Sequence, residues 1–295
     1  MKQRIFTGAA TALITPMFKD GSIDFEGYRQ NIEFQIQNGI DAIVSCATTG
    51  ECSTINYADH LDIVKAAIEY TDHRVPVIAS TGSNDTDHCV RLSKDAIKAG
   101  ADGLLSVTPY YNKTSQHGLV AHFSHIASMV DAPIILYNVP SRTGLNIEPQ
   151  TYKELSKIDN IVATKEASGN LENLKKTMEL CGDDLTIYSG NDDQMFEVTK
   201  MGGKGVISVF SNILPGVAHD IIDLAIKGKT DRAKEISDKY MPLMKALFYD
   251  INPVPCKEAM NMIGMPAGYL RLPLVPMLDE TREQLKKVLQ SYDLI

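Results

Sequence analysis

The sequence predicts an α/β fold, a (β/α)8 TIM barrel followed by a C-terminal helical domain. Three observations lead to this fold: eight short apolar runs that suit buried strands, amphipathic helical segments between most of them, and only helical spacing after the last run. The 295 residues are enough for one large domain with a modest appendage. A doubly wound open sheet is the rival arrangement at this stage.

A weak internal repeat marks the passage from helix to strand. The segment 39–45 (GIDAIVS) is echoed at 100–106 (GADGLLS), and 203–208 (GKGVIS) is a looser third copy. Each copy has a glycine where a helix can end, followed by a continuous apolar run typical of a buried parallel strand. The eight runs predicted as strands are 9–14, 42–44, 75–79, 103–107, 133–137, 161–164, 185–189 and 205–208.

Helical periodicity fills most of the gaps between these runs. Asp24 is placed to cap the first helix, whose expected buried face carries Tyr28, Ile32 and Ile36. After the eighth run only helical spacing remains, so we divide the chain into a catalytic barrel at 1–228 and a helical domain at 229–295. Further helical faces are formed by Leu61, Val64 and Ile68, by Ile236, Tyr240, Leu243 and Leu247, by Met260 and Ile263, and by Leu285, Val288 and Leu289.

Composition narrows the classes of function. The chain has 29 Lys and Arg against 37 Asp and Glu, and the formal net charge of −8 argues against a nucleic-acid binder. No stretch approaches the roughly 20 apolar residues of a membrane span, and the N-terminus lacks a signal peptide's apolar region, so we expect a cytoplasmic protein. The five cysteines are scattered without metal-ligand spacing and are predicted to be thiols in a reducing compartment.

Lys165 is the first candidate for chemistry. In a TIM barrel the active site lies at the C-terminal ends of the strands, and Lys165 follows directly on the sixth run, which would place its amine inside the rim. A buried amine suits Schiff-base chemistry, because only the neutral form attacks a carbonyl. Taken alone, the pattern also fits a lysine that only pairs with a carboxylate.

Hydroxyl groups and a guanidinium follow three of the other runs. Tyr137 and Tyr111 offer phenols, and Thr49 offers a hydroxyl that could pass a proton between them, as imine and enamine chemistry requires. Arg142 lies on a loop before Gly144 and could bind a substrate carboxylate through two parallel hydrogen bonds. The alternatives are packed aromatic rings and a surface arginine.

Two further segments are weaker candidates. The glycine-rich segment 202–205 precedes a strand, at the wrong end of the barrel for a phosphate site, and is predicted to be a turn. Asp192 and Asp193 follow the seventh run but have no histidine or third acid nearby to complete a metal site. We therefore expect no metal ligands in this chain.

Four segments in order give the chain a resemblance to a known family. They are TTGE at 48–51, PYYN at 109–112, YNVPSRTG at 137–144 and KEASG at 165–169. Together with NPVP at 252–255 and LRLP at 270–273, they closely resemble the dihydrodipicolinate synthase family of pyruvate-dependent, class I aldolase-type enzymes. The resemblance begins at Gly8 and covers nearly the whole chain.

The resemblance implies a fold and a reaction. The fold is a (β/α)8 barrel with a C-terminal helical domain, assembled as a homotetramer that is a dimer of dimers. The reaction condenses pyruvate with aspartate semialdehyde to give 4-hydroxy-tetrahydrodipicolinate on the way to diaminopimelate and lysine, which makes the chain a lyase without a metal or organic cofactor. The alternatives are an N-acetylneuraminate lyase, a 2-keto-3-deoxy sugar-acid aldolase or a non-enzymatic relative; the SRTG stretch at 141–144 favours a short substrate anchored by its carboxylate.

Residue roles also follow from the resemblance. Lys165 matches the Schiff-base lysine, and Tyr137 matches the general acid/base beside it. Thr49 matches the hydroxyl that links Tyr137 to a second tyrosine, here Tyr111, which in the family comes from the neighbouring subunit. The positions that match substrate-binding residues are Thr48, Thr49, Arg142, Gly190 and Ile207.

The sequence departs from the family pattern in three places. Ala47 stands where glycine is usual and Cys52 where serine or alanine is common, and the sequence does not decide what the added methyl of Ala47 does. The family's lysine feedback site is matched by Tyr110, Asn84 and His60. His88, however, replaces an acidic residue that would pair with the ligand's ammonium, so we expect weak or absent inhibition by lysine.

Overall fold

Eight parallel strands form a closed barrel at the centre of the computed structural model, which describes residues 2 and 4–295. The strands follow one another in chain order, and the first pairs with the last. This confirms the predicted barrel and excludes the open sheet, and each predicted run overlaps a strand. The strands are β1 (Gly8–Ala12), β2 (Ala42–Ser45), β3 (Val77–Ser80), β4 (Gly103–Val107), β5 (Ile134–Asn138), β6 (Ile161–Glu166), β7 (Thr186–Ser189) and β8 (Gly205–Ser208).

Helices alternate with the strands and continue after the last one. None of the helices formed by residues 2 and 4–295 is long and apolar enough to cross a membrane. The helices are α1 (Phe25–Gln37), α2 (Tyr57–Thr71), α3 (Thr86–Ala99), α4 (Gln116–Met129), α5 (Pro140–Thr143), α6 (Pro149–Leu155), α7 (Leu171–Cys181), α8 (Met195–Lys200), α9 (Pro215–Ile226), α10 (Thr230–Ala246), α11 (Val254–Met262) and α12 (Asp279–Gln290).

The last three helices are the appendage that the spacing predicts. Their apolar faces pack into the main hydrophobic core, to which Leu243, Met260 and Leu285 belong. The boundary at 228/229 falls in the short turn between α9 and α10. The division into two domains at that point stays a prediction.

Helix ends follow the local sequence. Asp24 caps α1 as predicted, its carboxylate accepting a hydrogen bond of 2.9 Å from the backbone N–H of Gly27. Gly39 and Gly100, the glycines of the repeat, have φ values of +82° and +108°, a backbone conformation that favours glycine after a helix. On α2 the buried face carries Ile63 and Val64 rather than being centred on Leu61, which is half-buried.

The barrel interior has its own apolar cluster, separate from the core between strands and helices. Its floor is the aromatic pair Phe6 and Tyr188, whose rings stack 4.2 Å apart at 5°. The Tyr188 hydroxyl donates a 2.7 Å hydrogen bond to the carbonyl of Phe6. The pair fills the end of the barrel where the strands begin. The cluster consists of Phe6, Ala10, Ala12, Ala42, Val44, Ala47, Ile78, Leu105, Ile135, Tyr137, Val139, Val162, Ala163, Tyr188 and Ile207.

The internal repeat has a structural explanation at this same end of the barrel. The Asp41 carboxylate accepts a 2.7 Å hydrogen bond from the N–H of Ala9 in β1, and the Asp102 carboxylate accepts one of 2.8 Å from the N–H of Val77 in β3. Each aspartate thus ties the start of its own strand to the start of the neighbouring one. Gly8 has φ +118°, and a Cβ there would lie 2.0 Å from an Asp41 oxygen, so only glycine fits.

Asp41 also pairs with a histidine outside the barrel. His219 of α9 places Nδ1 2.8 Å from the same carboxylate oxygen, and this hydrogen bond raises the pKa of His219. Because the folded-state pKa lies above the unfolded one, the pair stabilises the fold fully at pH below the unfolded value. The contribution is lost as pH rises through the raised pKa.

We predict that Asp41→Ala lowers the free energy of unfolding by about 1–3 kcal/mol, because a charge-assisted hydrogen bond to Ala9 is lost. Asp102→Ala, which removes the equivalent bond at an exposed side chain, is expected to cost less. Urea unfolding of the two variants and wild type at pH 6 and pH 9 checks both statements. The cost of Asp41→Ala should be larger at pH 6, where His219 is charged. Equal costs at both pH values would contradict the role given to His219.

Candidate active site

Lys165 lies in the barrel mouth near the end of β6. The strand registers place it opposite Tyr137 in β5 and Tyr188 in β7. Its side chain is buried, and Nζ lies 4.4 Å from the centroid of the Tyr137 ring. The sequence prediction that these two residues share the mouth is therefore matched by a direct contact.

The environment of Lys165 favours a reactive amine. Burial lowers its pKa from 10.5 to about 8; the positive charge of Arg142 acts in the same direction, and the negative charge of Asp192 opposes both. With such a pKa, about a tenth of the amine is neutral at pH 7. The residue therefore combines a fixed position with a usable population of the nucleophilic form.

Gly190 leaves the space that the lysine side chain occupies. It follows β7, and a Cβ at this position would lie 3.1 Å from Cγ of Lys165 and 2.7 Å from Cβ of Ala167. Ile207 in β8 is fully buried and belongs to the same interior cluster as Tyr137. The structure thus brings both expected positions to the barrel interior, and Gly190 directly beside the lysine.

The hydroxyl next to Tyr137 is that of Thr48. Burial raises the pKa of Tyr137, while Arg142 and a hydrogen bond with the Thr48 side chain act to lower it. Thr48 also lines the same cavity as Tyr137. The residue that lines this cavity with Tyr137 is thus Thr48, and the link from Tyr137 through Thr49 to a second tyrosine stays a prediction.

Thr49 instead meets a residue from the C-terminal helices. Its buried Oγ1 accepts a 3.0 Å hydrogen bond from Nδ2 of Asn252, in the loop between α10 and α11. The carbonyl of Asn252 accepts a 3.1 Å hydrogen bond from Nη2 of Arg142. In the sequence, Asn252 stands out only as part of the NPVP segment at 252–255, which suggests no role for it. Asn252 is far from the strand-end motifs along the chain, so the sequence does not reveal its contact with Thr49.

Asp192 is a second residue whose place the sequence did not reveal. Its Oδ2 accepts hydrogen bonds of 3.0 and 2.9 Å from the N–H groups of Val209 and Phe210, after β8. Burial raises the pKa of Asp192, and its hydrogen bonds and the Lys165 charge oppose that shift. From the sequence, Asp192 is a candidate only for a metal ligand. In residues 2 and 4–295, no three His, Cys, Asp or Glu side chains gather into a metal-binding group.

Tyr111 is not brought to Lys165 within one chain. It lies in the loop after β4 with φ +67° and is 92% exposed. Its neighbour Tyr110 is 39% exposed. Of the four residues expected to be catalytic, the structure therefore brings Lys165 and Tyr137 together and leaves Tyr111 projecting from the surface.

A cavity of about 340 Å³ extends from this site. Its lining includes Thr48, Tyr137 and Arg142, and also His60, His88 and Tyr110. Two of the three residues expected for a lysine site thus share one cavity. The third, Asn84, lies outside it, with its carbonyl accepting a hydrogen bond from the Asn112 side chain.

The cavity offers no negative charge from the described residues that line it. His60 donates from Nε2 to the carbonyl of Ser80 over 2.8 Å, and burial lowers its pKa to about 4. The ring is therefore neutral near pH 7 and leaves Nδ1 as an acceptor. Among the described residues, the cavity wall contains no carboxylate.

The two other departures from the family pattern are accommodated differently. Ala47 is buried in the interior cluster, so its methyl group adds to the packing at the strand end. Cys52 lines the cavity as a free thiol, and burial raises its pKa.

Comparisons with known proteins match nearly the whole chain. Residues 5–292 match the dihydrodipicolinate synthetase family. A curated 4-hydroxy-tetrahydrodipicolinate synthase from Caldicellulosiruptor saccharolyticus is 52% identical over 288 residues, covering 98% of this chain and 97% of the relative.

Two solved structures share the fold closely. The chloride-inhibited dihydrodipicolinate synthase from Acinetobacter baumannii, complexed with pyruvate, has a TM-score of 0.97 and 38% identity over 99% of this chain and 100% of that one. A monomeric dihydrodipicolinate synthase variant has a TM-score of 0.96 and 40% identity over 99% and 98% of the two chains.

The lowered pKa gives a test that needs no substrate. We predict that reductive methylation of Lys165 by formaldehyde and cyanoborohydride follows a titration centred near pH 8, because the neutral amine is the reacting form. Mass spectrometry of the peptide carrying Lys165 gives the rate at each pH between 6 and 11, and Lys165→Ala identifies the signal. A midpoint above pH 10 would contradict the effect of burial.

Proposed function

From the premise that this chain belongs to the dihydrodipicolinate synthetase family, we propose that it performs the family's reaction with Lys165 as the nucleophile. The observation that carries this assignment of roles is the buried Lys165 amine, with a pKa of about 8, in contact with the Tyr137 ring. The matching relatives supply the reaction, and the barrel mouth supplies groups suited to each step.

The protein is a lyase that condenses pyruvate with aspartate semialdehyde to give 4-hydroxy-tetrahydrodipicolinate, in lysine and diaminopimelate biosynthesis. The alternatives, an N-acetylneuraminate lyase, a sugar-acid aldolase or a non-enzymatic relative, are not favoured, because curated relatives that match the full chain carry the synthase name. A cytoplasmic location stays a prediction from the sequence.

In the first half-reaction, neutral Lys165 attacks the keto carbon of pyruvate. The resulting carbinolamine loses its hydroxyl as water and becomes an iminium, with Tyr137 and Thr48 as the hydroxyl groups that supply and remove protons. Loss of a proton from the methyl carbon then gives the enamine. Asp192, the acid whose charge opposes the lowering of the Lys165 pKa, stabilises the positive iminium.

In the second half-reaction, the enamine carbon attacks the aldehyde carbon of the semialdehyde, and the aldehyde oxygen takes up a proton. The amino group of the new chain then attacks the iminium carbon and displaces Lys165, which closes the ring and restores the free amine. Arg142 binds the semialdehyde carboxylate, since a guanidinium can donate two parallel hydrogen bonds to it. Thr48 and Thr49 hold the pyruvate carboxylate.

The assembly that we propose is a homotetramer, a dimer of dimers, in which Tyr111 enters the site of the neighbouring subunit. Supporting this, Tyr111 is almost fully exposed in one chain and has the left-handed backbone of a fixed turn. Leu272 and Leu278 are also more than three-quarters exposed, as residues of an interface are in a free subunit.

Regulation by lysine is proposed to be weak or absent. A bound lysine would present an ammonium group, and the cavity that His60, His88 and Tyr110 line offers it no carboxylate among the described residues. A charge-assisted hydrogen bond is therefore missing from the binding energy.

The proposed function is tested by incubating the protein with pyruvate and borohydride and assaying turnover of the semialdehyde in parallel. We expect a reduced adduct on Lys165 and condensation activity, with Lys165→Ala losing the adduct and roughly 100-fold or more of the rate. Arg142→Ala should keep the adduct and raise the KM for the semialdehyde about 30-fold or more. An adduct without condensation would transfer the chemistry to another aldehyde, and no adduct would refute the assignment of Lys165.

Tyr111 can be assigned to its subunit by complementation. Tyr111→Phe and Lys165→Ala chains are each expected to be nearly inactive, whereas co-expression in equal amounts should restore about a quarter of the wild-type rate. Half of the dimers would be mixed, and each mixed dimer would hold one complete site of two. Absence of restored activity, in dimers shown to be mixed by mass, would place Tyr111 in the site of its own chain.

The role of His88 is tested with a charge change. We expect wild type to keep its rate in sub-millimolar lysine. His88→Glu should be inhibited at lysine concentrations at least about tenfold lower than those that inhibit wild type. His88→Gln, which adds no charge, is the matched control. Inhibition of wild type by sub-millimolar lysine would refute the proposal.

A further inference from the structure

Asn252 lies outside the barrel strands and contacts both Thr49 and Arg142. Its side-chain amide donates to the Thr49 hydroxyl over 3.0 Å, and its main-chain carbonyl accepts from Arg142 over 3.1 Å. We propose that Asn252 is a positioning residue whose amide orients the Thr49 hydroxyl as a hydrogen-bond donor to the carboxylate of bound pyruvate. This inference rests on the proposed function, which puts pyruvate beside Thr49.

The direction of the hydrogen bond carries the argument. The Nδ2 group of an asparagine can only donate, so Oγ1 of Thr49 is the acceptor and its own proton is left for another partner. In the part of the chain that the structure describes, Thr49 has no second side-chain hydrogen bond that would use this proton. A carboxylate can only accept, and it is therefore the complement of a hydroxyl held in this way.

Both members of this bond are fixed. Thr49 is 2% exposed and Asn252 is 7% exposed. Two residues after Thr49, the carboxylate of Glu51 is bound at 2.8 Å by Lys257, which lies one turn beyond Asn252 at the start of α11. The loop and the helix are thus joined at two points, and the amide is held in place against Thr49.

The amide oxygen of Asn252 indicates that an asparagine is needed here for its polar group and not only for packing. Oδ1 of Asn252 is buried without a hydrogen-bond partner among residues 2 and 4–295. An unpaired buried polar atom is destabilising, and an apolar side chain of similar size would avoid that cost. What the asparagine supplies in return is the donor to Thr49.

A positioning role and a general loosening of the loop have different effects on the two substrates. Loosening of the loop would weaken the binding of both pyruvate and the semialdehyde. The side chain of Asn252 acts on Thr49, on the pyruvate side, whereas its main chain acts on Arg142, on the semialdehyde side. Replacing the side chain leaves the carbonyl that Arg142 binds. A positioning role therefore predicts a change in pyruvate binding with little change in semialdehyde binding.

The experiment uses Asn252→Ala and Asn252→Asp, with the pyruvate concentration that gives half-maximal borohydride trapping on Lys165 as the readout. We expect Asn252→Ala to raise this concentration about five- to tenfold, as for one lost hydrogen bond. Asn252→Asp should raise it further at pH 8, because the new carboxylate accepts the Thr49 proton and repels the carboxylate of pyruvate. The excess of Asp over Ala should shrink as the pH falls and the new carboxylate is protonated.

Asn261→Asp is the matched control, since the Asn261 amide bonds only to the main chain of Gly268 in the same C-terminal region. It should leave trapping unchanged, and the KM for the semialdehyde should change less than about twofold in both Asn252 variants. Should Asn252→Ala fail to fold, the isosteric Asn252→Asp and its pH dependence still decide.

Two results would overturn this inference. One is unchanged trapping in the Asn252 variants, and the other is an equal increase in the pyruvate concentration for half-maximal trapping and in the KM for the semialdehyde, without the pH dependence. In either case, trapping and turnover by wild type would still support the proposed function. Failure of wild type to form the adduct would overturn both.

Discussion

The carboxylate of Glu51 and the ammonium of Lys257 meet 2.8 Å apart with their side chains almost wholly withdrawn from water. Burial lowers the pKa of Lys257, and the Glu51 charge opposes that shift. Two buried charges are stable only when their remaining hydrogen-bonding groups are also satisfied. Here Lys257 also donates to the carbonyls of Thr15 and Tyr269, and the second oxygen of Glu51 accepts from the N–H of Arg271 over 3.0 Å.

This pair connects parts of the chain that the barrel alone would leave apart. Glu51 has a left-handed backbone, φ 60°, in the loop that also carries Thr48 and Thr49, and Lys257 belongs to a helix that follows the barrel. The loop after β2 is therefore shaped by contacts more than 200 residues away in sequence. The opposite end of the barrel is stabilised by other contacts, through Asp41 and the stacked rings of Phe6 and Tyr188. The reactive Lys165 thus lies at the C-terminal ends of the strands, and the stabilising contacts of Asp41 lie at their N-terminal ends.

The sequence was sufficient for whatever depends on local pattern. The apolar runs predict all eight strands, Asp24 predicts the first cap, and the position after the sixth run places Lys165 in the barrel mouth. It was not sufficient where the answer depends on register or on side-chain direction in a loop. The pairing of Tyr137 with Lys165 follows from how β5 and β6 align, and the contact between Thr49 and Asn252 follows from the path of an irregular loop. The role proposed for Asn252 depends on a long-range contact that no local motif encodes.

The ion pair between Glu51 and Lys257 also has a consequence for protein synthesis. When residue 228 has emerged from the ribosome, every strand of the barrel is available, but the partners of the β2 loop are still to be made. Translation from there to Arg271 takes roughly 2–9 s at about 5–20 residues per second. During that interval the nascent barrel exposes an unpaired Glu51 and an unsupported catalytic loop. A chain truncated between these points would have every strand of the sheet but not the partner that holds the catalytic loop.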